Sequence, residues 1–249
     1  MKYLLEIATT DFASTQAAVA GGADRIELCS ALSEGGLTPS FGLIKRCREK
    51  FSLPVFPIIR PRSGDFLYND DEYSVIKNDV ALCKELGCDG IVIGFLKKDG
   101  SIDKKRITKM VERAYPMEVT FHRAFDRCAD PYQAMEEIIE AGCQRILSSG
   151  QKSTAQEGVE LIKKLIIEAN NRIIIMPGSG IKIENIKALA ENSGAEEFHA
   201  ALRATVKSKM EFLHPSFASP GSYEHPGIIE DEVRSLKAEL KQLEQSHGN

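Results

Sequence analysis

Apolar positions along the chain follow two alternating spacings. Short runs rich in β-branched, aromatic and leucine side chains read as strands over 4–8, 26–29, 55–59, 90–96, 118–121, 146–149, 173–176 and 198–201. Between them, apolar residues at i, i+3 and i+4 predict helices over 11–20, 40–50, 71–86, 104–113, 132–141, 154–169 and 183–191. Asp11, Ser40, Asp130 and Ser153 are placed to cap helix starts, and Gly21, Gly87, Gly142 and Gly194 to end helices. Alternating strands and helices imply parallel pairing, because parallel neighbours need a crossover.

The pattern repeats. Gly22-Ala23-Asp24-Arg25-Ile26 is echoed by Gly87-Cys88-Asp89-Gly90-Ile91, Gly142-Cys143-Gln144-Arg145-Ile146 and Gly194-Ala195-Glu196-Glu197-Phe198. Each copy is a helix end turning into an even-numbered strand, so one period holds two βα units. That suits an α/β fold of the (β/α)8 TIM-barrel type in a single domain. A doubly wound open sheet is the competing architecture. Aligning the copies sets a register in which Glu27, Val92, Leu147 and His199 point into the barrel. One step toward the C-terminal mouth come Cys29, Gly94, Ser149 and Ala201. The same parity on odd strands turns Glu6, Arg60 and His122 inward, and Ile7, Ile59 and Phe121 toward the helices.

A length of 249 residues suits one such domain over 1–249, closing with a C-terminal loop and helix over about 203–249. An apolar fraction of 43% excludes a mainly disordered chain. No apolar run approaches the roughly 18–20 residues that cross a bilayer, and Glu6 falls where a signal peptide needs apolar residues. A cytoplasmic protein without membrane contact is expected. The net charge of -4 offers no footprint for nucleic acid. Six cysteines without a CxxC pair suggest thiols in a reducing compartment rather than disulfides or zinc.

A barrel interior needs only apolar side chains, and buried charge is costly unless paired. Glu6, Glu27, Arg60, His122 and His199 therefore need a reason. One is an internal ion-pair network that fixes register. The other is a polar pocket at the C-terminal mouth, with Glu6, Glu27, His122 and His199 as acid–base groups and Arg60 holding an anion. Arg62 and Asp65 extend the anion-binding candidates into the loop after strand 3, unless they form a structural pair. Ser149 and Gly150 after strand 6, and Gly178 and Gly180 after strand 7, offer backbone N–H groups to a phosphate. Cys29, just above Glu27, is either a packing residue or a thiolate able to bind a soft metal or attack a substrate.

Five stretches are distinctive: GADRIELC (22–29), EGGLTPS (34–40), PIIRPRSGDF (57–66), TFHRAFD (120–126) and SSGQ (148–151). On them the chain resembles the CutC family of copper-homeostasis proteins. The resemblance implies a cytoplasmic (β/α)8 barrel associated with copper tolerance. It also implies copper(I) bound through cysteine, with Cys29 as the metal ligand. The resemblance further implies a second cysteine at the end of strand 1, where this chain has Ala8. Two thiolates can hold copper(I) linearly; one needs a further donor.

Two functions follow as expectations. One is handling of copper(I) through Cys29. The other is acid–base enzymology on a small anionic metabolite, phosphorylated or sugar-like. A purely structural barrel is a third class, disfavoured by the charged interior. At the C-terminus, Ile229, Val233, Leu236, Leu240 and Leu243 form an apolar seam of about two heptads. It suits a last barrel helix, or alternatively the contact of a homo-oligomer.

Overall fold

Helix starts and stops lie largely where short polar side chains and glycine place them. The Asp11 carboxylate accepts the Ser14 N–H ahead of α1 (Phe12–Ala20), and Ser40 caps α2 (Phe41–Lys50). Asn69 forms a capping box with Glu72 at α3 (Asp70–Glu85). Asp103 caps α4 (Lys104–Ala114), and Asp130 with Pro131 opens α5 (Pro131–Glu140). These caps satisfy N–H groups that a first turn leaves unpaired. α6 (Val159–Ala169), α7 (Ile186–Ser193) and α8 (Glu230–Ser246) complete the series.

The helices alternate with parallel strands β1 (Leu4–Thr9), β2 (Arg25–Leu28), β3 (Val55–Pro57), β4 (Gly90–Ile93), β5 (Glu118–Phe121), β6 (Arg145–Ser148), β7 (Ile174–Pro177) and β8 (Glu197–Ala200). This computed structural model describes residues 2–217, 219, 221 and 223–246. Two four-stranded sheets, β3-β2-β1-β8 and β4-β5-β6-β7, are joined by single parallel bridges between Ile58 and Val92 and between Gly178 and His199. The result is a closed (β/α)8 barrel.

Strand alternation sorts the side chains into two cores. Leu5, Ile7, Ile26, Ile59, Ile91, Phe121, Ile146 and Phe198 pack in the apolar layer under the helices. Ala8, Cys29, Phe56, Ile58 and Val92 form a second cluster inside the barrel. The register expected from the sequence echo is thus observed: Glu6, Glu27, His122 and His199 are buried on the inward face.

Two elements differ from the sequence expectation. The sixth helix begins at Val159, and Ser153 caps nothing. Residues 154–158 turn instead, because Gly158 lies against the backbone of Ser149 and Gly150 so closely that a Cβ there would collide. The segment after β8, expected to be loop, contains an antiparallel hairpin of β9 (Ala204–Lys207) and β10 (Glu224–Gly227). Its Pro226 and mostly exposed side chains hide the usual strand signature.

The C-terminal seam lies on the barrel. Val233, Leu236, Leu240 and Leu243 are buried, and α8 packs beside α1 and α7 as the eighth helix. Gly21 allows the close approach, since a Cβ there would strike Val233 and the Glu230 carbonyl. The Lys237 ammonium anchors the helix to Asp24 (2.5 Å) and to the Tyr3 carbonyl (3.1 Å).

Candidate active site

β1, β2 and β8 bring three ionisable groups together at mid-barrel. His199 Nδ1 lies 2.7 Å from Glu6 Oε1, and its Nε2 is 3.7 Å from Glu27 Oε2. Burial raises the proton affinity of Glu6, but the Arg25 guanidinium and the His199 hydrogen bond overcome it and hold Glu6 at about 2. Glu6 is therefore a fixed carboxylate that orients the imidazole. Burial pushes Glu27 up, against the pull of His199. Burial would push His199 down, but the Glu27 and Glu6 carboxylates carry it above its usual value. Glu27 and His199, both with raised proton affinity, thus face each other beside the fixed Glu6 anion. Such a pair can act as proton donor and acceptor.

Beneath lies a network that the sequence reading missed. Arg25 pairs with Glu6 and with Glu197 (2.5 Å), and Arg145 pairs with Glu197 (2.8 Å) and Glu118 (2.8 Å). Both guanidiniums sit over the Phe56 ring, 5.1 and 5.5 Å from its centroid. The signal was available: Arg25, Arg145 and Glu197 lie two residues before Glu27, Leu147 and His199, on the same inward parity. The ion-pair network and the polar pocket therefore coexist, one below the other.

Above opens a cavity of about 890 Å³, lined by Glu27, Arg60, His122, His199 and Gly180. Arg60, from the end of β3, is 4% exposed and has no carboxylate partner among the described residues. It donates instead to the carbonyls of Glu34 (2.7 Å), Gly36 (3.1 Å) and Gly64 (3.1 Å), and its Nε has no partner. Glycine suits the clamp: Gly36 takes φ 87°, and a Cβ there would crowd Ile58 and Cys29. His122, beyond β5, accepts the Ala124 N–H at Nδ1 (3.1 Å), which leaves the proton on Nε2. Burial and the Arg60 charge push its pKa down to about 3, so the ring is neutral. The α8 residues Asp231 and Ser235 also line the cavity, a contribution that the helical spacing alone did not reveal.

Other sequence candidates lie elsewhere. Arg62 is tied to Asp65 (2.9 Å) and Glu72 (2.5 Å) and does not line the cavity, so the structural alternative describes that pair. Ser149 and Gly150 belong to a loop that already cradles an anion, the carboxylate of Asp126. That carboxylate accepts Ser148 Oγ (2.6 Å), Ser149 N (3.0 Å) and Gln151 N (3.2 Å). Gly178 is a packing position, since a Cβ there would strike Leu147 and crowd His199. Gly180 turns at φ 73°, after Ser179 at φ 82°.

Cys29 is fully buried among Ala8, Phe56, Ile58 and Val92. Its Sγ donates to Glu27 Oε2 at 3.4 Å. Burial and the Glu27 charge raise the thiol well above its ordinary pKa, so it stays protonated. No group of three or more His, Cys, Asp or Glu side chains among the described residues could hold a metal ion. For copper(I), Cys29 offers one protonated thiol beside Ala8, a poor fit for a linear two-thiolate site.

The CutC family model matches residues 3–204. The chain belongs to the CutC family. A human relative named copper homeostasis protein cutC homolog is 45% identical over 246 residues, covering 97% of this chain and 90% of its own. A CutC family protein of Parabacteroides distasonis is 48% identical over 244 residues, covering 98% of each chain. The crystal structure of a protein assigned as copper homeostasis protein CutC from Streptococcus agalactiae superposes with a TM-score of 0.76 at 31% identity. It covers 80% of this chain and 98% of that one. No helix among the described residues is long and apolar enough to cross a membrane.

Proposed function

We propose that this CutC-family barrel is an enzyme acting on a small anionic metabolite by proton transfer. The observation that carries this reading is Arg60, a buried cation with no carboxylate partner among the described residues, which lines the same cavity as Glu27 and His199. A cation held only by carbonyl dipoles favours an incoming carboxylate or phosphate. The Glu27–His199 pair supplies the acid or base, with Glu6 fixing the ring. Ser179 and Gly180 also line the cavity, at the mouth where barrels commonly hold a phosphate. Calorimetric titration with inorganic phosphate, sulfate and short dicarboxylates tests the site. At least one of these anions should bind, and Arg60→Met should weaken it tenfold or more. Binding by none of them, or binding indifferent to Arg60, would contradict the reading.

The relatives' names favour a second reading, in which copper(I) is cargo carried by Cys29 in a cytoplasmic protein. The buried, protonated thiol beside Ala8 supports only weak binding. A copper(I) competition titration of the reduced protein should find low affinity, lowered further in Cys29→Ser. Tight one-to-one binding that requires Cys29 would instead favour copper handling.

A further inference from the structure

The proton-transfer reading leaves two polar atoms of cavity-lining residues unexplained. His122 Nε2 and Arg60 Nε are both buried and both without a hydrogen-bond partner. Leaving a buried donor unpaired costs about 1–3 kcal/mol, so two such donors on residues that line one cavity call for an acceptor that arrives from outside. They belong to one cluster: the Phe66 ring lies 4.8 Å from the His122 ring and 5.0 Å from the Arg60 guanidinium, centroid to centroid or carbon. The Ala124 N–H fixes the His122 tautomer, so Nε2 can only donate. Glu27 and His199, which can accept a proton, line the same cavity.

Resting on the proton-transfer reading above, we infer that His122 Nε2–H and Arg60 hold the oxygen of a substrate carbonyl while the Glu27–His199 pair removes a proton from the adjacent carbon. The substrate class is then an anionic carbonyl compound with an acidic C–H beside the carbonyl, an oxo acid or a phosphorylated hydroxycarbonyl. In the step, the C–H bond breaks and its proton goes to the Glu27 carboxylate. The bonding pair forms a carbon–carbon double bond, and the carbonyl π pair moves onto oxygen. The resulting enolate oxygen accepts hydrogen bonds from His122 Nε2–H and the Arg60 guanidinium, and neither donor gives up its proton. Return of the proton from Glu27 to the carbon that lost it takes up the electron pair of the double bond, and the oxygen pair re-forms the carbonyl, so the cycle ends without any oxidant or reductant. A neutral imidazole suits this role, because it donates a hydrogen bond without competing for the proton being moved.

Oxalate tests the clamp without needing the true substrate, since it is a planar, unreactive mimic of an enolate of an oxo acid. Its affinity is measured by calorimetry, and the His122 Nε2–H resonance is followed by NMR. Wild type should bind oxalate and shift that resonance. His122→Leu should weaken binding tenfold or more, whereas His122→Gln, which keeps a donor near the Nε2 position, should stay within about threefold. Circular dichroism confirms that each variant is folded. If Arg60→Met abolishes binding and His122→Leu does not, the anion site stands and the carbonyl role of His122 is overturned. If oxalate does not bind wild type at all, the clamp is overturned, and phosphate titration then decides the anion site independently.

Discussion

At the scale of single residues, burial decides how far each ionisable side chain departs from its usual chemistry. Glu6 and Glu27 share a barrel interior, but only Glu6 has a guanidinium against it, so one stays ionised and the other gains proton affinity. Glu27→Gln should therefore abolish catalysed exchange of the carbon-bound proton while leaving oxalate affinity within a few fold, measured by NMR in deuterated water. His122 makes the opposite demand on pH. Its folded pKa is lowered to about 3 from an ordinary value near 6.5, so between those limits the unfolded chain binds a proton that the folded one refuses. Stability from this group is complete above about pH 6.5 and declines as pH falls toward 3. His122→Gln should flatten the fall of the urea midpoint between pH 6.5 and 4; an unchanged slope would show that His122 is not held neutral. Much of this was legible beforehand. The echo placed Glu27 and His199 on one layer, and parity added Glu6, Arg60 and His122. Pairing was not legible, because spacing does not say that Arg62 turns to Asp65 or that the N–H groups around Ser149 turn to Asp126.

At the scale of elements, each strand's alternation serves two cores at once. Its outward residues pack under helices, while its inward residues build a charged floor, a proton-transfer layer and a mouth. The floor is the costly part. Arg25 lies between Glu6, Glu197 and Phe56, and removing one partner of a buried pair leaves the rest uncompensated. Arg25→Met should cost about 3–5 kcal/mol in urea unfolding. A change below about 1 kcal/mol would mean that water already reaches the network. The loops after β2 and β3 act as one element, because carbonyls at 34, 36 and 64 converge on Arg60. The EGGLTPS and PIIRPRSGDF stretches mark those loops in the sequence. Their joint role appears only once β2 and β3 lie side by side. The sixth helix was misjudged at its start because the apolar spacing continues backward from Val159 into a turn that the close Gly158–Gly150 contact enforces.

At the scale of the molecule, barrel closure depends on few strand bonds and much helix packing. The two half-barrels meet through single bridges, from β3 to β4 and from β7 to β8, and α8 packs against α1 and α7. Ending the chain at residue 229 should expose Gly21 and the faces of α1 and α7 that α8 covers, and cost the cooperative thermal transition, read by circular dichroism. The seam's heptad-like spacing was visible in the sequence, but spacing alone could not distinguish a barrel face from a subunit contact. Family membership places the chain among proteins named for copper homeostasis, whereas the inside of its barrel presents the protonated Cys29 thiol and a cavity lined by Arg60, which has no carboxylate partner among the described residues.

The central claim is that the mouth holds a protonatable Glu27–His199 pair facing a neutral His122. Side-chain nitrogen NMR of the five histidines across pH 3 to 9 tests it without any ligand. The account predicts that His199 titrates above the ordinary histidine range. It predicts that His122 stays a neutral Nε2–H tautomer down to about pH 3. A His122 that takes its second proton near pH 6.5, or a His199 that loses its charge below that point, would contradict it.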